Sequence, residues 1–153
     1  MLPFAMCLSL LVAGAPTRAR AQGDDTKKAL TAYRLTMPTV RKLIEAGNTV
    51  KRGPDAGRLE SETERIHTMS IPQLMTVYDG LPSMKRAIAV SGIAPREFAT
   101  AALSLAHAYR RLTEEGMAKA TGRQVSSPLP WVPTENVELV QKNAEEIERL
   151  NEK

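Results

Sequence analysis

Cysteine is almost absent from this 153-residue sequence, because Cys7 is the only one. It lies in an apolar N-terminal stretch, and the residues before it do not form the small-residue lipobox of a bacterial lipoprotein. The rest of the chain therefore offers no thiol for a disulfide, a nucleophile or a metal ligand. No Cys-x-x-Cys-His motif occurs either, which excludes covalently attached haem. We expect a fold that relies on its apolar core alone.

Histidine is also scarce. His67 and His107 are the only two, and they are 40 residues apart with no His-x-x-x-His or Glu-x-x-His spacing around either. We interpret both as core or flank residues rather than as metal ligands or general bases. No Gly-x-Ser-x-Gly elbow and no phosphate-binding glycine loop occurs. The sequence therefore predicts a protein that is not an enzyme and that holds no cofactor or metal.

No apolar run is long enough for a transmembrane helix, which needs about 20 residues. The run over residues 2–15 is too short, and Ala19-Arg20-Ala21 after it has the small-x-small pattern of a signal-peptide cleavage site. We expect a secretory signal over residues 1–21, cut between Ala21 and Gln22, and hence a periplasmic or secreted bacterial protein. The alternative interpretation is an uncleaved N-terminal membrane anchor.

Basic and acidic residues nearly balance in the chain once the signal is removed. Arg18 and Arg20 leave with it, so the formal net charge falls from +4 to +2. Neither this balance nor an exported location favours nucleic acid as a partner. The charge is segregated, however, since residues 27–58 are mainly basic and residues 135–153 mainly acidic. We expect the last helix to pack near the first one.

Aromatic residues make up only 4% of the chain, and no strand-like alternation occurs. The pattern predicts an all-α fold, a small bundle of four or five helices after the signal. An extended lead-in over residues 22–35 comes first, followed by a helical domain over 36–125. A proline-rich linker over 126–133 then leads to a C-terminal amphipathic helix over 134–153, which packs on the domain.

The stretch Gly-Ile-Ala-Pro-Arg-Glu-Phe separates two of these helices. Gly92 can adopt the left-handed conformation that ends the first helix, and Pro95 suits the first turn of the next. Glu97 can then accept a hydrogen bond from the N–H of Ala94 and face the helix dipole. A buried ion pair of Arg96 with Glu97 is the alternative interpretation.

An apolar face that advances by four and three residues from Phe98 to Leu112 predicts a long helix over residues 95–121. Gly122 ends it. We expect this helix to be the central and most buried one. Thr134 is expected to cap the last helix.

Two features suggest binding. Trp131 is the only tryptophan, with Pro130 before it and Pro133 two residues after it. Such a residue either locks its segment onto its own domain or anchors a partner. The second feature is a basic cluster formed by Arg41, Lys42, Lys51, Arg52 and Arg58. It is either a solvated helix face or a contact for an anionic membrane surface or an acidic protein.

Residues 35–42, 92–108 and 133–150 together resemble a family of small exported bacterial helical proteins of unknown function. The similarity lies in the N-terminal signal, a Gly-(Leu/Ile)-Ser-Pro-Arg-Glu-(Tyr/Phe) joint and a closing Asn-Val helix. Ala94 stands here in place of the usual Ser, and Pro38 stands where an acidic residue is common. The resemblance implies an exported helical domain and confers no activity, cofactor or site.

The sequence thus favours a non-enzymatic exported interaction protein. It would be an accessory or structural subunit that docks on a larger periplasmic or membrane-associated complex, such as a photosynthetic or respiratory one. The predicted contact residues are Pro130, Trp131, Pro133, Arg41, Lys42, Lys51 and Arg52. The alternative is a periplasmic carrier of a small apolar ligand, in a pocket lined by Phe98, Tyr109, Met75 and Met84.

Overall fold

The computed structural model of this chain describes residues 15–122 and 129–152, with side chains from residue 23 onward. Within these residues it has eight α-helices, one 3₁₀-helix and no strand. The α-helices are α1 Ala15–Ala32, α2 Met37–Lys51, α3 Ala56–Thr63, α4 Ile71–Asp79, α5 Pro82–Ser91, α6 Pro95–Thr121, α7 Thr134–Lys142 and α8 Ala144–Asn151, and the 3₁₀-helix is Ile66–Thr68. The predicted all-α class is confirmed, but the helices of the described residues outnumber the predicted four or five.

The longest helix, α6, lies at the centre of the fold and contacts α1, α2, α4, α5 and α7. It begins at Pro95 and is followed by Gly122, which has a φ of 65°. Gly92, with a φ of 69°, ends α5 in the left-handed conformation that its sequence position favours. Phe98 and Leu103 of α6 are fully buried, and the ring of Tyr78 from α4 packs edge-on against Phe98. These contacts make α6 the core helix.

The start of α6 differs from the expectation in one respect. Ala94 is the N-cap, and no side chain in this part of the chain caps the helix. Glu97 lies in the first turn, near the positive end of the helix dipole, but it forms no hydrogen bond with the N–H of Ala94. Arg96 and Glu97 are both exposed, which contradicts the buried ion pair.

Residues 22–32, which were expected to be extended, belong instead to α1. Thr26 and Leu30 are buried, and Ala29 and Tyr33 pack against the core beside them. Their spacing of three, one and three residues is one face of a helix. The Oγ1 of Thr26 also accepts a hydrogen bond from the N–H of Ile71 at 3.1 Å, which ties α1 to the start of α4. A stripe that includes a threonine is easily overlooked in the sequence.

The C-terminal segment is two helices rather than the single one expected. The break is at Asn143, whose Nδ2 donates to the carbonyl of Leu139 at 2.7 Å, a side-chain bond that competes with continued helix. Thr134 is the first residue of α7 and not its cap, because Pro133 occupies the N-cap position. The N–H groups of Asn136 and Val137 donate to the carbonyl of Pro133 at 3.1 and 3.4 Å, and no side chain of the described residues caps the helix.

The acidic C-terminal helix α8 lies against the basic helix α2. Arg41 forms an ion pair with Glu146, with Nη2 and Oε1 2.6 Å apart. The Nδ2 of Asn48 donates to the carbonyl of Leu150 at 2.7 Å. Opposite charge and a buried amide therefore both hold this pair of helices together.

The expected signal peptide lies mostly outside the described residues, as do residues 123–128, which include the start of the predicted linker. Export therefore stays a prediction. No helix in the described ranges is long and apolar enough to cross a membrane.

Candidate functional site

Both histidines of the chain line one pocket, although they are distant in sequence. The pocket lies between α1, the 3₁₀-helix with the start of α4, the middle of α6 and residue 131, and its volume is about 350 Å³. Small-molecule sites in proteins have volumes of about 300–1,000 Å³. The residues that line the pocket include Thr26, Lys27, Leu30, His67, Met69, Gln73, His107 and Trp131. We call this cavity the histidine pocket.

Trp131 is fixed against its own domain. Its indole packs edge-on against the imidazole of His107, with ring centroids 4.7 Å apart at an angle of 74°. The hydroxyl of Thr31 lies 3.1 Å from the carbonyl of Trp131 and 2.8 Å from the carbonyl of Lys27, so its one hydrogen is shared between these acceptors. The next carbonyl, that of Val132, accepts a bond from Nη1 of Arg111 at 2.8 Å. The indole is therefore a preformed wall of the pocket.

His107 is the deepest polar residue of the pocket, with only 5% of its surface exposed. Its Nδ1 is buried and has no hydrogen-bond partner among the protein groups described. Burial lowers the pKa of His107 to about 4, and the charges of Arg110 and His67 act in the same direction. At neutral pH the ring is therefore uncharged, with one nitrogen as donor and the other as acceptor. An unpaired buried group of this kind is unfavourable by about 1–3 kcal/mol.

Gln73 and Lys27 bring further hydrogen-bond donors to the lining of the pocket. The Oγ1 of Thr26 lines the pocket and accepts a bond from the N–H of Ile71. Oε1 of Gln73 accepts a bond from the N–H of Ser70 at 2.7 Å, which leaves the side-chain amide N–H groups as donors. Lys27 is exposed at the edge of the cavity. A ligand with acceptor oxygens would match this set.

The predicted basic cluster does not form one surface, because its members have different neighbours. Arg41 pairs with Glu146 on α8, and the Nε of Arg52 donates to the carbonyl of Asn48 in its own helix. Lys42 lines a groove between α2 and α5, whereas Lys51 lines a separate groove between α2 and α6. The cluster therefore provides single charges at separate places.

The groove between α2 and α5, the α2–α5 groove, has a volume of about 430 Å³. Lys42 and Arg86 line it beside Glu45, and Val90 lies along it with 82% of its surface exposed. A single exposed apolar residue such as Val90 is common on protein surfaces. Its place beside a groove with more basic than acidic residues makes it a candidate contact.

The predicted apolar ligand site is only partly assembled. Met84, Phe98 and Tyr109 line the open groove between α2 and α6, which has a volume of about 260 Å³. Met75 lines a different cavity of about 70 Å³, next to Tyr78. Met84 and Phe98 are buried members of the core, so they form the floor of this groove.

Sequence reasoning interpreted the histidines separately and missed their convergence. One signal was available, because Thr100, Ser104, His107 and Arg111 advance by four, three and four residues along α6. They form a polar stripe on the face that the structure buries, where Thr100 and Ser104 are also inaccessible. Polar residues at helical spacing on an otherwise apolar face indicate either an internal network or a site.

Comparison of the chain with protein-family models, with curated proteins and with solved structures finds no match. Within the described residues, no three His, Cys, Asp or Glu side chains come together in a way that would hold a metal ion. The function must therefore be argued from the histidine pocket and the grooves themselves.

Proposed function

We propose that this protein is a non-catalytic, exported binding protein that holds a small organic molecule in the histidine pocket. The observation that carries the proposal is the buried imidazole of His107, which lines the pocket beside the indole of Trp131. A carrier of a small ligand was the alternative hypothesis from the sequence. The proposed site is a different one, since it uses a polar pocket rather than the groove of Met84 and Phe98.

The pocket combines two properties that small-molecule sites require. Leu30, Met69 and Trp131 provide apolar walls, whose coverage by a ligand contributes about 25 cal/mol per Å² removed from water. His107 and Thr26 provide polar groups that fix the orientation of the ligand. Because hydrogen bonds already hold the segment of Trp131 in place, little side-chain freedom is lost on binding.

Trp131 also makes the proposal testable, because its emission is the only tryptophan signal of the protein. The full chain, purified from its own cells without detergent, should be extracted with organic solvent and the extract analysed by mass spectrometry. Any compound found is then added back to the extracted protein while the Trp131 emission is followed. We expect saturable binding.

Two variants control this titration. His107→Gln should weaken binding, because it removes the imidazole from the wall. Met117→Ala should not, because Met117 lies on the same helix but is 60% exposed and outside the pocket. An empty extract, or rebinding that His107→Gln leaves unchanged, would refute the proposed site.

A second candidate function is docking on another envelope protein, and the exposure of Val90 beside the α2–α5 groove favours it. The partner segment would present an apolar side chain for the groove and a carboxylate for Lys42 or Arg86. A photoreactive amino acid at position 90 should then crosslink to one defined partner in intact cells. The same amino acid at position 117 is the matched control, and equal products at both positions would exclude specific docking.

A further inference from the structure

The charged and polar lining of the histidine pocket is one-sided. Among the residues that the structure describes, no Asp or Glu lines it, whereas Lys27, His67 and His107 all do. Gln73 adds side-chain amide N–H groups that can be donated, because its Oε1 already accepts a bond from the N–H of Ser70. A cation would find no counter-charge in this pocket, and an anion would find several donors.

The number of fixed charges limits the charge of the ligand. Of the described residues in the lining, Lys27 is the only one with a permanent charge, because the ring of His107 is neutral at pH 7. A single carboxylate balances one ammonium group, whereas a phosphate dianion would leave a negative charge partly buried without a partner. The apolar walls formed by Leu30, Met69 and Trp131 require a hydrophobic body on the same ligand.

Binding of a carboxylate at His107 also changes the number of protons that the pair holds. A carboxylic acid in water ionises near pH 4, so at neutral pH it arrives as an anion. A neutral imidazole can donate its own N–H to the carboxylate without proton exchange, but that pair leaves a negative charge in the buried part of the pocket, because Lys27 lies at the exposed edge. A pair with one additional proton, either imidazolium with carboxylate or imidazole with carboxylic acid, has no net charge and is more stable there. Both forms contain one more proton than the separated partners. Binding therefore takes up a proton from solvent.

We propose that the ligand is a small aromatic monocarboxylate, that its carboxylate binds at His107 with its ring against Trp131, and that one proton is taken up on binding. This inference rests on the proposed function and specifies its ligand class. Arg111, one turn after His107 on α6, is paired with Glu115 at 2.6 Å, and the described segment 129–132 contributes no charge. The other charged groups near His107 are Lys27 from α1, His67 from the 3₁₀-helix and Arg110 of α6 itself. All three favour the anion.

The test uses benzoate as the probe and benzamide as its neutral counterpart of nearly equal shape. Titration calorimetry of the full chain in two buffers with different heats of ionisation measures the number of protons exchanged. We expect close to one proton taken up for benzoate and none for benzamide. The dissociation constant of benzoate should rise about tenfold per pH unit from pH 6 to pH 8, because one proton is linked to binding. At pH 6 benzoate should bind about tenfold more tightly than benzamide.

Three controls separate the parts of the inference. His107→Gln retains a hydrogen-bonding side chain but cannot titrate, so proton uptake and the pH dependence of benzoate binding should both disappear. Lys27→Gln at the exposed edge should weaken benzoate binding while the proton uptake remains. Acetate, which has the carboxylate without the ring, should bind much more weakly and leave the Trp131 emission nearly unchanged.

The outcomes distinguish this inference from the proposed function. Equal binding of benzoate and benzamide without proton exchange would overturn the carboxylate and leave a ligand pocket in place. Failure of both probes would also overturn it, and the extraction experiment then decides independently whether the pocket holds another class of molecule. Proton uptake that survives His107→Gln would assign the proton to a different residue and reject the mechanism.

Discussion

Asn136 is the buried residue whose replacement should be most damaging for its size. Only 1% of its surface is exposed, and it joins α7 to the connection between α1 and α2. Its Oδ1 accepts a hydrogen bond from the N–H of Leu35 at 2.9 Å, and its Nδ2 donates to the carbonyl of Tyr33 at 3.0 Å. One side chain thus satisfies two backbone groups about 100 residues away in sequence.

The expected magnitude follows from these two bonds. Asn136→Ala leaves the buried N–H of Leu35 without a partner, which is unfavourable by about 2 kcal/mol. The carbonyl of Tyr33 keeps a longer contact with Nη1 of Arg34 at 3.5 Å, so the loss of its bond to Asn136 adds only about 1 kcal/mol. We therefore expect the free energy of unfolding to fall by about 3 kcal/mol. For a domain of this size, that corresponds to a melting temperature lower by about 10 °C.

Urea unfolding of the full chain, followed by far-ultraviolet circular dichroism, measures this change. Asn48→Ala is the matched comparison, because Asn48 is also buried but makes a single long-range bond, to the carbonyl of Leu150. It should lower the stability by about half as much. If Asn136→Ala is no more destabilising than Asn48→Ala, the two-bond explanation is wrong.

Three further predictions concern other parts of the fold. Gly92→Ala should lower the free energy of unfolding by about 1 kcal/mol, as measured in urea. The whole effect should come from the φ of 69°, because an added Cβ would meet nothing within 4 Å. An unchanged stability would show that the backbone relaxes at this position. Trp131→Ala should lower it by about 2 kcal/mol, since the indole covers His107, and an unchanged urea midpoint would contradict that packing. His107 has a pKa of about 4 in the folded protein, below its ordinary value of 6.5, so the unfolded chain binds more protons between these values. The free energy of unfolding should therefore fall by about 3 kcal/mol in total as the pH drops from 6.5 to 4. His107→Gln should remove this contribution to the pH dependence of stability. An unchanged pH dependence in the variant would show that other groups cause it.

Local chemistry explains which helices were predictable. The left-handed glycine at position 92 and the proline at position 95 act within one turn of the chain, so they bound α5 and α6 whatever packs against them. The break at Asn143 and the helix over residues 22–32 were missed for different reasons. Asn143 forms a bond to the carbonyl of Leu139 that competes with the helix. Thr26 belongs to a buried stripe only because the N–H of Ile71 lies opposite its hydroxyl.

What the sequence determined by itself was the all-α class, the bounds of the central helix and the polar stripe on it, because these depend on interactions between residues three or four apart. Only the tertiary structure decided that His67, His107 and Trp131 meet in one pocket. Periodicity reports which face of a helix is buried, but the partner of that face depends on how all the helices pack at once. The candidate site lies where three such faces converge.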